Sequence, residues 1–451
     1  MRRIIEGGHI VTVDGASTEH SGGHVVVEGG RITAVGAGRA PAELRDGADV
    51  VDATGCLVTP GLVNTHHHLY QWLTRGWAQD AILFDWLVAL YPTWARIDAD
   101  LVEAGSAAAM AVLARSGCTT VADHHYVFPK GGGDILGGIV QAADTVGVRL
   151  HATRGSMDLG RSQGGLPPDF AVETTDAILA ASADAVARLH DASSDSKVRI
   201  ALAPCSPFSV TADLLRESAV LGRELDVRLH THGAETVEEE AFCRERFGMG
   251  PTDYLEGLGW LGDDVWMAHC VHLDERDIGK FAATGTGVAH CPSSNARLAA
   301  GIAPVPAMLA AGVPVGLGVD GAASNESGRL GDEIRQAVLV GRLGAGADRM
   351  TGRHALRMAT MGGARLLGRD SELGSLEVGK LADIAVWRID DVEHAGIADP
   401  VAALTLGATP PIELLMVGGE TVVDSGELTR TDRRALARRG ALAATELAGR
   451  A

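Results

Sequence analysis

Eight short apolar runs, most of them separated by stretches rich in helix formers, restrict this chain to very few folds. The runs are Leu62–Thr65, Thr119–Asp123, Val148–Arg154, Val198–Ala203, Val227–His232, Val265–His269, Gly287–His290 and Val315–Asp320. Helix candidates between them include Asp100–Ser116, Thr175–His190, Ala212–Glu224 and Val305–Ala311. Near-continuous apolar strands alternating with helices form parallel sheets covered on both faces. Eight such units predict an α/β fold, a closed (β/α)₈ TIM-like barrel. An open doubly wound sheet is the alternative. The ends of the runs favour the barrel, because they carry or lead into His66 and His68, Asp123 and His124, Arg154, Ser206, His232 and Glu235, His269, His290 and Asp320. Barrel enzymes build their sites at the C-terminal ends of strands, and histidines scattered at random would not gather there.

The flanking segments read differently. Ile10–Val13, His24–Glu28 and Arg31–Val35 are strand-like, with Gly29-Gly30 as a hairpin turn between the last two. Alone they are too few to bury a core. Past Arg365, Leu376–Trp387 reads as a turn and a strand, and Leu414–Val417 and Glu420–Val423 flank the turn Gly418-Gly419. The expected organisation is a catalytic barrel over 57–369 and a small β-sandwich domain shared by 1–56 and 370–430. A peripheral C-terminal helix is expected over 431–451.

The net charge of −19 disfavours nucleic acid polymers and anionic membranes as partners. No apolar run approaches the ~18 residues of a membrane span. Cysteines 56, 118, 205, 243, 270 and 291 form no Cys-x-x-Cys pair, so neither a zinc ribbon nor a disulfide framework is expected. The segment Met1–Glu6 lacks the apolar stretch of a signal peptide. Reduced thiols in a cytoplasmic protein are the expectation, acting on a small neutral molecule and compatible with a homo-oligomer.

An apolar stretch, Leu57–Val63, broken only by Pro60-Gly61, leads into His66-His67-His68. Side chains alternate across a strand, so His66 and His68 share one side and His67 takes the other. Two imidazoles so placed suit a borderline-soft divalent ion. The plain alternative is a polar loop with chance histidines, and the rest of the chain argues against it. His230 and His232 repeat the spacing, with His232 at the tip as the better ligand and His230, being deeper, as a residue that fills the barrel or backs a ligand. Glu235 follows where the chain leaves the strand. Its competing reading is an acid at the start of a helix, since Glu238–Glu240 come next. His269 ends an apolar run, whereas His272 reads as a buried structural imidazole. Asp320 ends another, and a buried carboxylate needs a partner such as a metal and its water. Gln71 lies just past the histidines and offers a donor and an acceptor to a substrate. Trp86 and Trp94 could wall a slot, and Cys205 with Ser206 could approach its far edge. The match Gly316-x-Gly318-x-x-Gly321 to a dinucleotide fingerprint has no supporting context. The His-x-Glu with Pro-Cys-x-x-Cys signature of zinc-dependent deaminases is absent.

Pro60–His68, His232-x-x-Glu235, Ala268-His269-Cys270-Val271-His272 and Gly318-Val319-Asp320-Gly321 together resemble the amidohydrolase superfamily. The likeness is to the branch holding nucleobase, S-adenosylhomocysteine and triazine deaminases. It implies His66, His68, His232 and Asp320 as metal ligands, with Glu235 and His269 acting on substrate and water. Binuclear members use a carboxylated lysine at the end of strand four. Here the only nearby lysine, Lys197, lies at the opposite end, so one divalent ion per chain is expected, with zinc the expected metal. The segments Leu83–Leu87, Leu90–Trp94, Arg154–Gly160, Gly164–Asp169 and Ala203–Phe208 resemble the 8-oxoguanine deaminases more narrowly, and hydroxytriazine aminohydrolases share part of the set. Gly233 departs from the bulkier residue common before the Ala-Glu pair, a departure that bears on pocket shape. The implied reaction is hydrolytic deamination of an aminated heterocycle, with a hydantoinase-type ring hydrolase or an inactive metal-binding protein as the competing classes.

Overall fold

A computed structural model describes residues 2–450. Eight parallel strands close into a barrel in the chain order of the eight apolar runs. They are Leu62–Asn64, Cys118–Asp123, Arg149–Ser156, Val198–Pro204, Leu229–Gly233, Val265–His269, Gly287–His290 and Val315–Leu317. Closure occurs where Leu317 of strand eight pairs with Asn64 of strand one. The open doubly wound sheet is thereby excluded. Strand eight is shorter than the run predicts, because the chain turns after Leu317 and reaches Asp320 at φ 63°. That turn swings Asp320 over the barrel mouth instead of continuing along the wall. The backbone N–H of Asp320 still bonds to the carbonyl of His66, at 3.1 Å.

Two further sheets stand beside the barrel, one of four strands and one of seven. Ile5, Val25 and Val27 from the first pack against Val58, Ile384, Val386 and Met416 from the second, so the sheets face each other across a shared apolar layer. Five of the strands, Arg3–Glu6, Glu19–His20, Asp49–Asp52, Cys56–Pro60 and Glu427–Leu428, come from segments not read as strands in the sequence, and Cys56–Pro60 shows why. The apolar stretch entering the histidines belongs to two sheets: Cys56–Pro60 pairs with Ile384–Arg388, and Leu62–Asn64 enters the barrel. Gly61 sits at the junction, where an added Cβ would lie 2.2 Å from the Thr119 side chain. The hairpin around Gly418-Gly419 forms as expected, from Ile412–Val417 and Glu420–Asp424.

Buried charge ties the two parts together. Arg149, at the base of strand three, donates to both carboxylate oxygens of Asp383, at 2.9 and 3.1 Å. Such bidentate pairs fix geometry as well as charge. Lys197 lies at the base of strand four and pairs with Glu420 on the protein surface, at the opposite end of the barrel from the C-terminal ends of its strands. The C-terminal helix Arg433–Arg450 buries Leu436, Gly440, Ala443 and Leu447. Among the described residues, no helix is long and apolar enough to cross a membrane.

Candidate active site

At the C-terminal mouth of the barrel His66, His68, His124 and His232 form one close cluster and His66, His269 and Asp320 a second, all buried. His124 spends its Nε2 on the carbonyl of Ala203, at 3.0 Å, and His66, His68, His232 and Asp320 are the set the sequence singled out. Their hydrogen-bond partners assign the tautomers. The Nδ1 of His68 meets the carbonyl of His124 at 2.6 Å, and that of His232 meets the carbonyl of Cys205 at 2.6 Å. A carbonyl only accepts, so each Nδ1 carries the proton and each Nε2 a lone pair. His66 is set by a relay. The Nδ1 of His230 donates to the carbonyl of Trp266 at 2.8 Å, which leaves the His230 Nε2 to accept from the Nδ1 of His66, also at 2.8 Å. His230 is thus the partner that orients His66.

Three bare Nε2 lone pairs therefore point at one another and at a carboxylate. The Nε2 atoms of His68 and His232 are 3.2 Å apart. The Oδ1 of Asp320 lies 3.2 Å from the His66 Nε2 and 3.3 Å from that of His68. Burial holds His66 and His232 well below the ordinary imidazole value, so neither supplies a proton. Four acceptors facing inward without a proton repel, unless a cation lies among them. A tetrahedral ion with bonds of about 2.0–2.1 Å sets its ligands roughly 3.3 Å apart, which the observed spacings match. The donor set fits one divalent ion. No lysine stands at the end of strand four, where Pro204-Cys205 occupies the position. Elemental analysis after removal of loosely bound metal should give about one equivalent per chain. A firm two would contradict this assignment.

Beside these side chains sit Glu235 and His269. The Nδ1–H of His269 donates to the Oδ1 of Asn295 at 2.9 Å, which turns a free Nε2 toward the mouth. That atom is 3.6 Å from the Oε1 of Glu235 and 3.8 Å from the Oδ2 of Asp320. Both gaps are too long for hydrogen bonds. Burial, helped by the charge of Asp320, pushes the Glu235 carboxyl well above its ordinary range. Glu235 precedes the helix Val237–Phe247, whose cap is Thr236, so its side chain is not spent on that helix end. Asp320 is steadied by the Ser294 hydroxyl at 2.6 Å and by the Gly321 N–H at 2.7 Å. Ala234, His269, Cys270 and Asp320 all adopt left-handed backbone angles. Such strain costs about 1–3 kcal/mol per residue and gathers at functional sites.

A pocket opens from these residues, walled by Leu83, Trp86, Leu87 and Tyr91 on one side and by Cys205 and Ser206 on another. Gln71 lines it, fully buried, with both amide atoms unpartnered. Gly321 makes room for it, since an added Cβ would fall 1.7 Å from the Gln71 Oε1. The Tyr91 hydroxyl is likewise buried and unpartnered. Trp94 is core: its indole donates to Thr74 and does not reach the pocket. Gly233 does not shape the pocket either, because a Cβ there would meet Met267 and Leu255. Asp123 accepts the Leu69 N–H at 2.8 Å and so holds the loop after the histidines. Arg154 is clamped by both oxygens of Glu173, and His272 bonds the Ala300 carbonyl, both outside the pocket. Asn295, Ser294 and Tyr91 were not legible as site residues from the sequence. The short motif Pro292–Asn295 directly after the strand end His290 was the available signal for the first two.

Fold and site define a barrel hydrolase with a buried three-histidine, one-aspartate centre. The chain belongs to the amidohydrolase family, whose profile matches residues 57–422. It is 48% identical to the 8-oxoguanine deaminase of Pseudomonas aeruginosa over 94% of this chain and 95% of that one. It is 38% identical to hydroxydechloroatrazine ethylaminohydrolase of a Pseudomonas species, over 95% and 92% of the two chains. Among solved structures, the zinc complex of atrazine chlorohydrolase from Arthrobacter aurescens superposes with a TM-score of 0.92 at 32% identity. The match covers 98% of this chain and all of that one (100%).

Proposed function

We propose that this chain is a zinc-dependent hydrolytic deaminase that converts 8-oxoguanine and water to urate and ammonia. The carrying observation is the placement of Glu235 and Asp320 about the His269 Nε2, directly beside three inward-facing imidazole lone pairs. His66, His68, His232 and Asp320 would hold the ion, and the ion would supply Lewis-acid activation, bringing the pKa of water toward ~7. The remaining steps belong to the chain's own groups. His269 Nε2 and Asp320 Oδ2 take the proton of the attacking water and return it to the departing amine. Glu235 protonates the ring nitrogen next to the reacting carbon and recovers a proton from the added hydroxyl, the second water proton, as the new carbonyl forms. Its raised carboxyl keeps that proton available. Acid–base steps of this kind contribute about 10²–10⁴-fold. The amine is replaced by oxygen, and one ammonia leaves for each water consumed.

The choice of ring rests on the strong likeness to a named 8-oxoguanine deaminase. The pocket supports it with two unpartnered polar groups, the Gln71 amide and the Tyr91 hydroxyl, among apolar walls. Buried groups built to hydrogen-bond a substrate can reject an analogue lacking the matching atom by about 10⁴-fold. 8-Oxoguanine should therefore exceed guanine, isocytosine and a hydroxytriazine in kcat/KM, measured by ammonia or amine release at equal concentration. A win for guanine or the triazine would overturn the substrate and leave the deamination standing. The triazine is the second reading, favoured by the aminohydrolase relative. The six free, buried cysteines agree with a cytoplasmic location.

A further inference from the structure

Glu239 is a fully buried acid on the first turn of the helix Val237–Phe247. Thr236-Val237-Glu238-Glu239 has the pattern of a capping box, in which the acid would fold back onto the N–H of Thr236. It does not stop there. Its Oε1 accepts the N–H of Ala234 at 3.1 Å and its Oε2 accepts that of Glu235 at 2.7 Å. Thr236 meanwhile caps the helix by accepting the N–H of Glu239, at 3.4 Å. The carboxylate thus grips two successive peptide donors in the turn that leaves strand five, at the point where Ala234 takes a left-handed φ of 50°. Burial pushes the Glu239 carboxyl up to about 7, while the two N–H groups favour its ionised form.

We infer that Glu239 is a positioning residue for the reaction, holding the backbone of Ala234 and Glu235 so that the Glu235 side chain faces His269 and the substrate ring. A carboxylate is the fitting group, since it offers two acceptors and no donor. A glutamine would turn an amide N–H toward a peptide N–H and release one of the two. Glu239 touches neither substrate nor ligand, and the inference rests on the proton-donor role proposed for Glu235. A displacement near 1 Å at a reacting group costs up to about 10²-fold in rate.

The test uses the metal-loaded enzyme and ammonia release from 8-oxoguanine. Glu239→Gln should lower kcat about 10–100-fold, with KM within about threefold of the parent and metal content unchanged. Glu239→Asp keeps the charge but cannot span both donors, and should fall between the two; it serves if the glutamine variant does not fold. In a Glu235→Gln background, Glu239→Gln should change kcat by less than about threefold, because its effect passes through Glu235. A kcat within about twofold of the parent for Glu239→Gln would overturn the inference. So would a full additional loss in the Glu235→Gln background. A parent that releases no ammonia would remove the proposed function and this inference together, whereas an active parent with an unaffected Glu239→Gln removes this inference alone.

Discussion

Replacing Glu235 by glutamine should lower kcat at least ~10²-fold while metal content stays at the parent level. The substitution keeps volume and polarity and removes one function, the transferable proton. Glu235 is not among the residues proposed to hold the ion and belongs to neither close cluster at the mouth; its Oε1 lies 3.6 Å from the His269 Nε2. Its peptide N–H, already taken by Glu239, remains bonded in the variant. A residue that merely began a helix would behave otherwise: Thr236 caps that helix, so stability would shift slightly and turnover would persist. Kinetics paired with elemental analysis separate the two cases. Near-normal turnover in a metal-replete Glu235→Gln enzyme would rule out the proton-donor role.

Removing the ion should have a still larger effect. Stripping it with a chelator should cut turnover by at least ~10³-fold, the scale of about 4 kcal/mol of lost transition-state stabilisation. It should also lower Tm, because the ion binds only the folded arrangement of ligands. The structural reason is the crowd of acceptors: the Nε2 lone pairs of His68 and His232 face each other at 3.2 Å, with Asp320 Oδ1 3.3 Å from the first. His232→Ala should reproduce both losses in part, since three donors remain. Differential scanning calorimetry of the stripped and reloaded protein reads the stability change independently of catalysis. An unchanged Tm together with unchanged activity after full removal would contradict the metal centre.

Much of this site was written in the sequence because barrel chemistry sits at strand ends. Once eight apolar runs are recognised, their C-terminal residues are the candidates, and His66, His68, His232, His269 and Asp320 do meet there. The i, i+2 spacing also separated His68 from His67, whose ring nitrogens are buried without partners on the other side. What stayed hidden depends on contacts made across the fold. Nothing local marks Asn295 as the group that turns His269, or His230 as the relay behind His66. The reach of Glu239 past its expected cap depends on how the strand-five turn meets its helix. Periodicity could not divide Leu57–Val63 between two sheets, because both use the same apolar residues. It also carried strand eight through Asp320, whereas the left-handed turn before Gly321 is what aims the carboxylate.

The claim at the centre of this account is that water replaces an exocyclic amine at one metal-dependent site and leaves the ring intact. The most direct test is the stoichiometry of ammonia released to heterocycle consumed by the metal-loaded enzyme, with the product identified by mass. With 8-oxoguanine the account predicts one ammonia per ring consumed, with urate as the product. Consumption of the ring without ammonia, giving an opened product one water heavier than the substrate, would contradict it.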